Sequence, residues 1–282
     1  MRFAVIGDRG MFGQEISALL QSSGEQIWGF NRTNIDLSSS AQEVSEVIAK
    51  ADVIINAVAF TNVDAAEGST AQARLVNGEY VEKLAQVGLI LDAKIVHIST
   101  DYVFSGSAPT PIGTRAITRP INAYGASKLY GEQLLSNSGA RFQIFRTAWL
   151  YGATGDCFPK AIAKNLLETG RCDVVNDQLG QPTWTRDLAE VVYKHCLEEY
   201  DETLVHAVAS GSASWFEFAQ AIASCLPNPE SYKINSISST DLVSRAIRPS
   251  FSVLDNSQTT GPVIGNWLER WKVASPQILA SI

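Results

Sequence analysis

This chain has no run of apolar residues long enough to cross a membrane: its most apolar window, Val53 to Phe60, contains Asn56 and falls far short of the roughly 18 residues a span needs. No membrane partner is therefore expected. The four cysteines, Cys157, Cys172, Cys196 and Cys225, have no C-x-x-C spacing, which suggests neither a zinc site nor a disulfide framework and leaves free thiols as the expectation. Histidine is scarce. His97, His195 and His206 lie far apart on segments that read as strand or helix interiors, so packing is their expected role. The net charge of -7 is spread without any block of one sign, which argues against a nucleic-acid surface while leaving room for local phosphate pockets. Met1-Arg2 runs straight into a short apolar strand and then Asp8-Arg9, with no space for the apolar core of a secretory signal; a cytoplasmic protein is expected.

What is present is the alternation of a layered α/β protein. Short apolar runs at Phe3–Ile6, 26–30, Val53–Asn56, 94–99 and 143–147 have the look of strands buried on both faces. Between them, helical patterns cover 11–21, 40–50, 70–87 and 124–136, with a capping box in Ser40-Ala41-Gln42-Glu43. Right-handed crossovers turn this pattern into a doubly wound parallel sheet of the Rossmann type. After Thr147 the rhythm changes, with prolines at 159, 182, 227, 229, 249, 262 and 276 and helical patterns at 161–169, 186–197 and 214–224. The reading is a dinucleotide-binding domain at 1–150 and a smaller C-terminal α/β substrate-binding lobe at 151–282, their elements partly interleaved. A ligand cleft should lie beyond the carboxyl ends of the strands.

Gly7-Asp8-Arg9-Gly10-Met11-Phe12-Gly13 follows the first strand and opens the first helix. Backbone N–H groups of Gly10, Met11 and Phe12 would face a pyrophosphate there, where the helix dipole favours negative charge. An NAD site usually carries an acid at the end of the second strand, about 20 residues past the glycines. This chain reads Asn31-Arg32 at that place, which matches NADPH better than NADH, unless Arg32 is a solvated loop cation. Asp36 and Leu37 would lie beside the adenine, and the segment Ala57, Val58, Ala59, Phe60 and Thr61 would pass under the ribose and nicotinamide.

Tyr124 and Lys128 are spaced four residues apart on one helical face. A phenol titrates near pH 10, and a lysine one turn away stabilises the phenolate and can also hold the nicotinamide ribose. Tyr124 is the proton donor on this reading. Thr100, in Ser99-Thr100-Asp101 at the end of the fourth strand, offers a hydroxyl to the same substrate oxygen.

These residues, with Asn56 to Asp64, Ser99 to Phe104, Phe145 to Gly152, Asn176 to Thr183 and Val208 to Gly211, resemble the extended short-chain dehydrogenase/reductases and within them the dTDP-4-dehydrorhamnose reductase family. The resemblance implies NAD(P)H-dependent reduction of the C4 ketone of dTDP-4-dehydro-L-rhamnose. It assigns Thr100 to tuning the tyrosine, Thr100 and Asp101 to substrate contact, Trp149 to packing against the sugar, and Arg245 and Arg248 to the diphosphate, the last two being otherwise solvated loop arginines. Trp215, Trp267 and Trp271 read as packing of the second lobe. Some members hold Mg2+ with glutamates at a dimer interface; Glu15 matches one such position, but Arg186 stands where a second ligand would, so no metal is expected. Monomer and homodimer both remain open. So do two alternative functions: another NDP-4-keto-sugar reductase or epimerase, and a non-catalytic NADP-binding regulatory subunit.

Overall fold

The computed structural model describes residues 1–198 and 200–282. Its central sheet uses β1 (Arg2–Ile6), β2 (Gln26–Phe30), β3 (Val53–Asn56), β4 (Lys94–Thr100) and β5 (Phe142–Thr147). A sixth strand, Leu204–His206, joins β5, and the spatial order is Leu204–His206, β5, β4, β3, β1, β2, every neighbouring pair parallel. The period of two divides the side chains between two apolar layers: Phe3, Val5, Val53 and Ile55 pack on one face, and Ala4, Ile6 and Ile54 on the other. Both faces are covered, which is why the strands read as continuous apolar runs.

The helices before the second lobe are α1 (Met11–Ser22), α2 (Ala41–Ile48), α3 (Val63–Gly68), α4 (Thr70–Arg74), α5 (Tyr80–Leu91) and α6 (Ala123–Ser136). The later ones are α7 (Phe158–Thr169), α8 (Thr185–Leu197), α9 (Trp215–Ala223) and α10 (Trp267–Leu279). Phe12, Ile16 and Leu20 on α1 meet Leu188, Val191 and Val192 on α8 above the first face; Val44 and Ile48 on α2 meet Val81 and Leu84 on α5 above the second. The capping box read at Ser40 is formed, with the Ser40 N–H donating to Glu43 Oε2 at 2.7 Å. The doubly wound expectation therefore holds. The chain also returns to this layer after residue 150, through α8 and the sixth strand.

The segment 70–87, expected as one helix, is broken by a π-helical turn at Leu75–Glu79. The extra residue in the turn sends Asn77 inward, where its amide bonds both the N–H and the carbonyl of Phe60, at 2.8 and 3.1 Å, and Ser127 Oγ at 2.9 Å. The second lobe pairs Arg171–Val175 with Lys233–Ile237 in parallel and packs α7, α9 and α10 around Phe218 and Trp271. Sequence reading missed α10 because Pro276 falls within it. The helix forms because Trp271, Ala274 and Ile278 bury one stripe. No helix among the described residues is long and apolar enough to cross a membrane.

A buried ion pair joins the elements that carry the site. Arg146 on β5 donates through Nε and Nη2 to the two carboxylate oxygens of Glu132 on α6, at 2.9 and 2.6 Å, with both side chains no more than 5% exposed. Ser99 on β4 donates to the same carboxylate, and the guanidinium lies 5.0 Å from the centre of the Phe104 ring. Removing one partner strands a buried charge. Glu132→Ala should lower unfolding free energy by about 3–5 kcal/mol in urea denaturation, and a loss below about 1 kcal/mol would mean the pair does not brace the layer.

Candidate active site

The first βα turn is built for close approach. Gly7 has φ +92° and a Cβ there would lie 2.9 Å from the Ala57 carbonyl carbon; a Cβ on Gly13 would lie 2.0 Å from the Gly7 oxygen. Helix α1 therefore begins directly against the ends of β1 and β3. No side chain caps it and no acid occupies its first turn, so the N–H groups of Met11 and Phe12 are left for a ligand, whereas the Gly10 N–H, also expected to face a pyrophosphate, is taken by the Gly7 carbonyl at 3.0 Å, which closes the turn. Gly10, Met11 and Phe12 line a cavity of about 680 Å³, and Ala57, Ala59 and Thr61 form its floor. Phe60 is outside the lining, its backbone held by Asn77. An anionic group fits this uncapped helix start, as the pyrophosphate of a dinucleotide requires.

Thr100, Tyr124 and Lys128 open into the same cavity. Asn122 starts α6 by accepting from the Gly125 N–H at 2.8 Å, while its amide donates to the Ile247 carbonyl at 2.9 Å. A Cβ on Gly125 would sit 2.1 Å from the Tyr102 carbonyl oxygen, so only glycine lets α6 press its first turn onto the end of β4. Tyr124 is thereby brought to Thr100. Burial pushes its phenol up to about 12, opposed by the hydrogen bond from Thr100 and reinforced by the Asp101 charge. The expected lowering by Lys128 is not made in this structure, because Lys128 is turned elsewhere.

Lys128 is 1% exposed; its Nζ donates to the Ile98 carbonyl at 2.6 Å and lies 3.3 Å from His97 Nε2. Burial pulls the ammonium down to about 8, although Glu132 favours the charge. His97, expected only to pack, has a second contact: its Nδ1 is 3.1 Å from Asn56 Nδ2, while Asn56 Oδ1 accepts the Val58 N–H at 3.1 Å. Burial holds the ring neutral. With the Asn56 amide donating to Nδ1, the ring proton sits on Nε2 and points at Lys128, an arrangement that suits the amine better than the ammonium.

On the substrate side, Asp101 is 2% exposed, accepts from Thr100 Oγ1 at 2.9 Å, and leaves Oδ2 without a partner among the described residues. Burial pushes its carboxyl up to about 6. Trp149 lines the cavity with φ +45°, its indole lying where a Cβ on Gly180 would be, and stacks on Trp215 at 3.4 Å between ring centres. Trp271 packs in the cluster around Phe218, Trp267 packs against both that cluster and the apolar layer on the first face of the sheet, and Trp215 lines both the first cavity and a second one of about 650 Å³. Arg248 lines both, held by Asp64 through an Nη2–Oδ2 contact of 2.6 Å. Asp64 also accepts the N–H groups of Arg245 and Ala246, which pins the 244–248 segment over α3; the Arg248 guanidinium, helped by the Ala246 N–H, holds its carboxyl well below the usual range. Arg245 is exposed and lines neither cavity.

At the far end of the sheet, Arg32 and Asp36 are exposed, Asp36 accepting from Ser38, and the Leu37 carbonyl accepts from Lys83. Asn31 Nδ2 donates to Asp8 Oδ1 at 3.0 Å. Sequence reading passed over Asp8, although its place inside a phosphate-binding loop was the available signal. Near α8, burial raises the Glu15 carboxyl while the Arg186 charge opposes that rise. A guanidinium facing Glu15 does not fit a divalent cation there.

The RmlD substrate binding domain family model matches residues 1–282. A probable dTDP-4,6-dihydroxy-2-methyloxan-3-one 4-ketoreductase of Streptomyces antibioticus is 33% identical, covering 100% of this chain and 97% of its own. The crystal structure of a dTDP-4-dehydrorhamnose reductase from Clostridium acetobutylicum superposes with a TM-score of 0.93 at 32% identity, over 99% of this chain and 100% of that one. The Bacillus anthracis dTDP-4-dehydrorhamnose reductase in complex with NADP gives 0.90 at 30% identity, over 97% and 98% of the two chains. With its glycine cradle, its Tyr124–Lys128 helix and a family match along its whole length, the chain belongs to the RmlD substrate binding domain family.

Proposed function

We propose that this protein is a cytoplasmic NAD(P)H-dependent reductase that converts the C4 ketone of dTDP-4-dehydro-L-rhamnose to the alcohol of dTDP-L-rhamnose. The observation that carries this reading is that the glycine cradle and the Thr100–Tyr124–Lys128 group open into one cavity. When bound, the reduced nicotinamide supplies the hydride that the carbonyl carbon accepts. Tyr124 gives its hydroxyl proton to the carbonyl oxygen, and Thr100 favours the phenolate that remains once its hydroxyl turns from Asp101 Oδ1 to donate to it. Lys128 serves as the cationic partner of that phenolate once it leaves the Ile98 carbonyl. Met11 and Phe12 hold the pyrophosphate through backbone N–H groups, with Gly10 leaving room for its approach, and Ala57, Ala59 and Thr61 support the ribose and nicotinamide.

Asp101 accepts a sugar hydroxyl, the Trp149–Trp215 stack covers the apolar face of the 6-deoxy sugar, and Arg248 meets the diphosphate where the two cavities join. The nucleoside then occupies the second cavity, beneath 239–248. A second reading keeps this chemistry and changes the sugar. It is favoured by the likeness to the probable Streptomyces antibioticus 4-ketoreductase, which is named for a different dTDP-linked keto sugar.

Oxidation of NADPH at 340 nm with dTDP-4-dehydro-L-rhamnose tests the reading, and turnover only with another dTDP-4-keto sugar would select the second one. Tyr124→Phe should lower kcat by about 10²–10⁴ while leaving the NADPH dissociation constant within about twofold; a variant at the wild-type rate removes Tyr124 from proton transfer. For Asp101 the sign follows from its raised pKa of about 6. As pH falls through that value the carboxylate is protonated and stops accepting, so kcat/KM should fall on the acid side with an inflection near 6 that Asp101→Asn lacks. Because the folded-state pKa is raised above the unfolded one, the same group's contribution to stability is fully present at low pH and is lost as pH rises through about 6. Urea titrations of wild type and Asp101→Asn between pH 4 and 7 should therefore diverge as the pH rises.

A further inference from the structure

Resting on the dinucleotide reading above, we propose that Asp8 discriminates between NADH and NADPH: it accepts from the adenosine ribose 2′-hydroxyl and opposes a 2′-phosphate in the same place. An acid inside a phosphate-binding loop works against the loop's purpose unless it points away from the pyrophosphate. Asp8 does point away. The loop is fastened to the carboxyl end of β2 by the Gly7 and Asp8 N–H groups, both donating to the Phe30 carbonyl at 2.6 and 3.3 Å. The Asp8 side chain then extends over Gly29, where a Cβ would meet its Oδ2 at 2.4 Å, so that glycine at this strand position leaves the carboxylate its present place and a larger residue would displace it. Asn31 Nδ2 donates to Oδ1 at 3.0 Å and fixes the other end.

The result is a carboxylate at the end of the second strand, supplied by the first loop. In dinucleotide sites an acid at this end of the strand accepts from the ribose 2′-hydroxyl, and an arginine nearby accommodates the 2′-phosphate. This chain brings both. Arg9 follows Asp8 and Arg32 follows Asn31, and both arginines are exposed. The asparagine at 31 cannot supply a negative charge, but it orients the residue that does. The arginines draw the phosphate, Asp8 draws the hydroxyl, and the two cofactors are used in a ratio that Asp8 sets.

The experiment is titration of the full-length protein with NADH and with NADPH, read by calorimetry, in wild type, Asp8→Asn and Arg32→Asp. Asp8→Asn keeps the size of the side chain and an oxygen for Asn31, and removes the charge. Its NADH dissociation constant should rise about tenfold while that of NADPH falls about threefold or more. Arg32→Asp should move the ratio the other way. Opposite movement of the two constants in Asp8→Asn supports the proposal, since a residue that only braced the 31–35 loop would shift both in the same sense. Constants that stay put, or that move together, overturn it. Wild-type protein that binds neither dinucleotide overturns the reductase reading itself, and a variant that does not fold is replaced by Asp8→Ser, judged on the same opposite movement.

Discussion

Most of the site hangs on the pair between Glu132 and Arg146. It ties α6 to β5, and through Ser99 to β4, which are the elements that carry Tyr124, Lys128 and Thr100. Two charges taken out of water are tolerable only in such satisfied geometry. The Phe104 ring lies against the guanidinium, while the remaining nitrogen, Nη1, is buried without a hydrogen-bond partner among the described residues. The same carboxylate lies one turn beyond Lys128 and favours its charged form, so the brace of the fold also bears on the charge of that lysine.

Around that brace, two polar side chains fix segments outside the helices and strands. Asn77, presented by a π-helical turn, holds the backbone of Phe60 and with it the segment under the cofactor cavity. Asp64 gathers the N–H groups and the guanidinium of the 244–248 segment, so a chain stretch remote in sequence becomes a wall shared by both cavities. Each does what an isolated loop cannot: it supplies partners for backbone groups that would otherwise face a cavity. The residues doing chemistry are thus placed by others that do none.

Legibility in the sequence followed the range of the interaction. The strands, most helices, the glycine turn and the Tyr124–Lys128 spacing depend on residues within a turn or two of each other, and their periods survive without knowledge of the fold. The helix expected at 70–87 failed in its middle because Asn77 is claimed by Phe60 and Ser127, contacts that no local pattern contains. The short strand Leu204–His206 and helix α10 were passed over for a related reason: one carries too few residues for a period and the other contains a proline. Trp215 read as core because an aromatic residue on an amphipathic helix usually is; its second face, against Trp149, exists only where two lobes meet.

By itself the sequence determined a doubly wound sheet with a glycine turn at the start of the first helix and a phenol and an amine on one helix, since short-range periodicity and glycine stereochemistry dictate these. Tertiary structure alone decided which charges meet. It turned Lys128 toward Ile98 and His97, left Arg245 outside while Arg248 entered, set Arg186 against Glu15, and carried Asp8 to the end of β2. Charge interactions act through space between residues distant in the chain, so their partners are fixed only when the sheet closes and the helices pack.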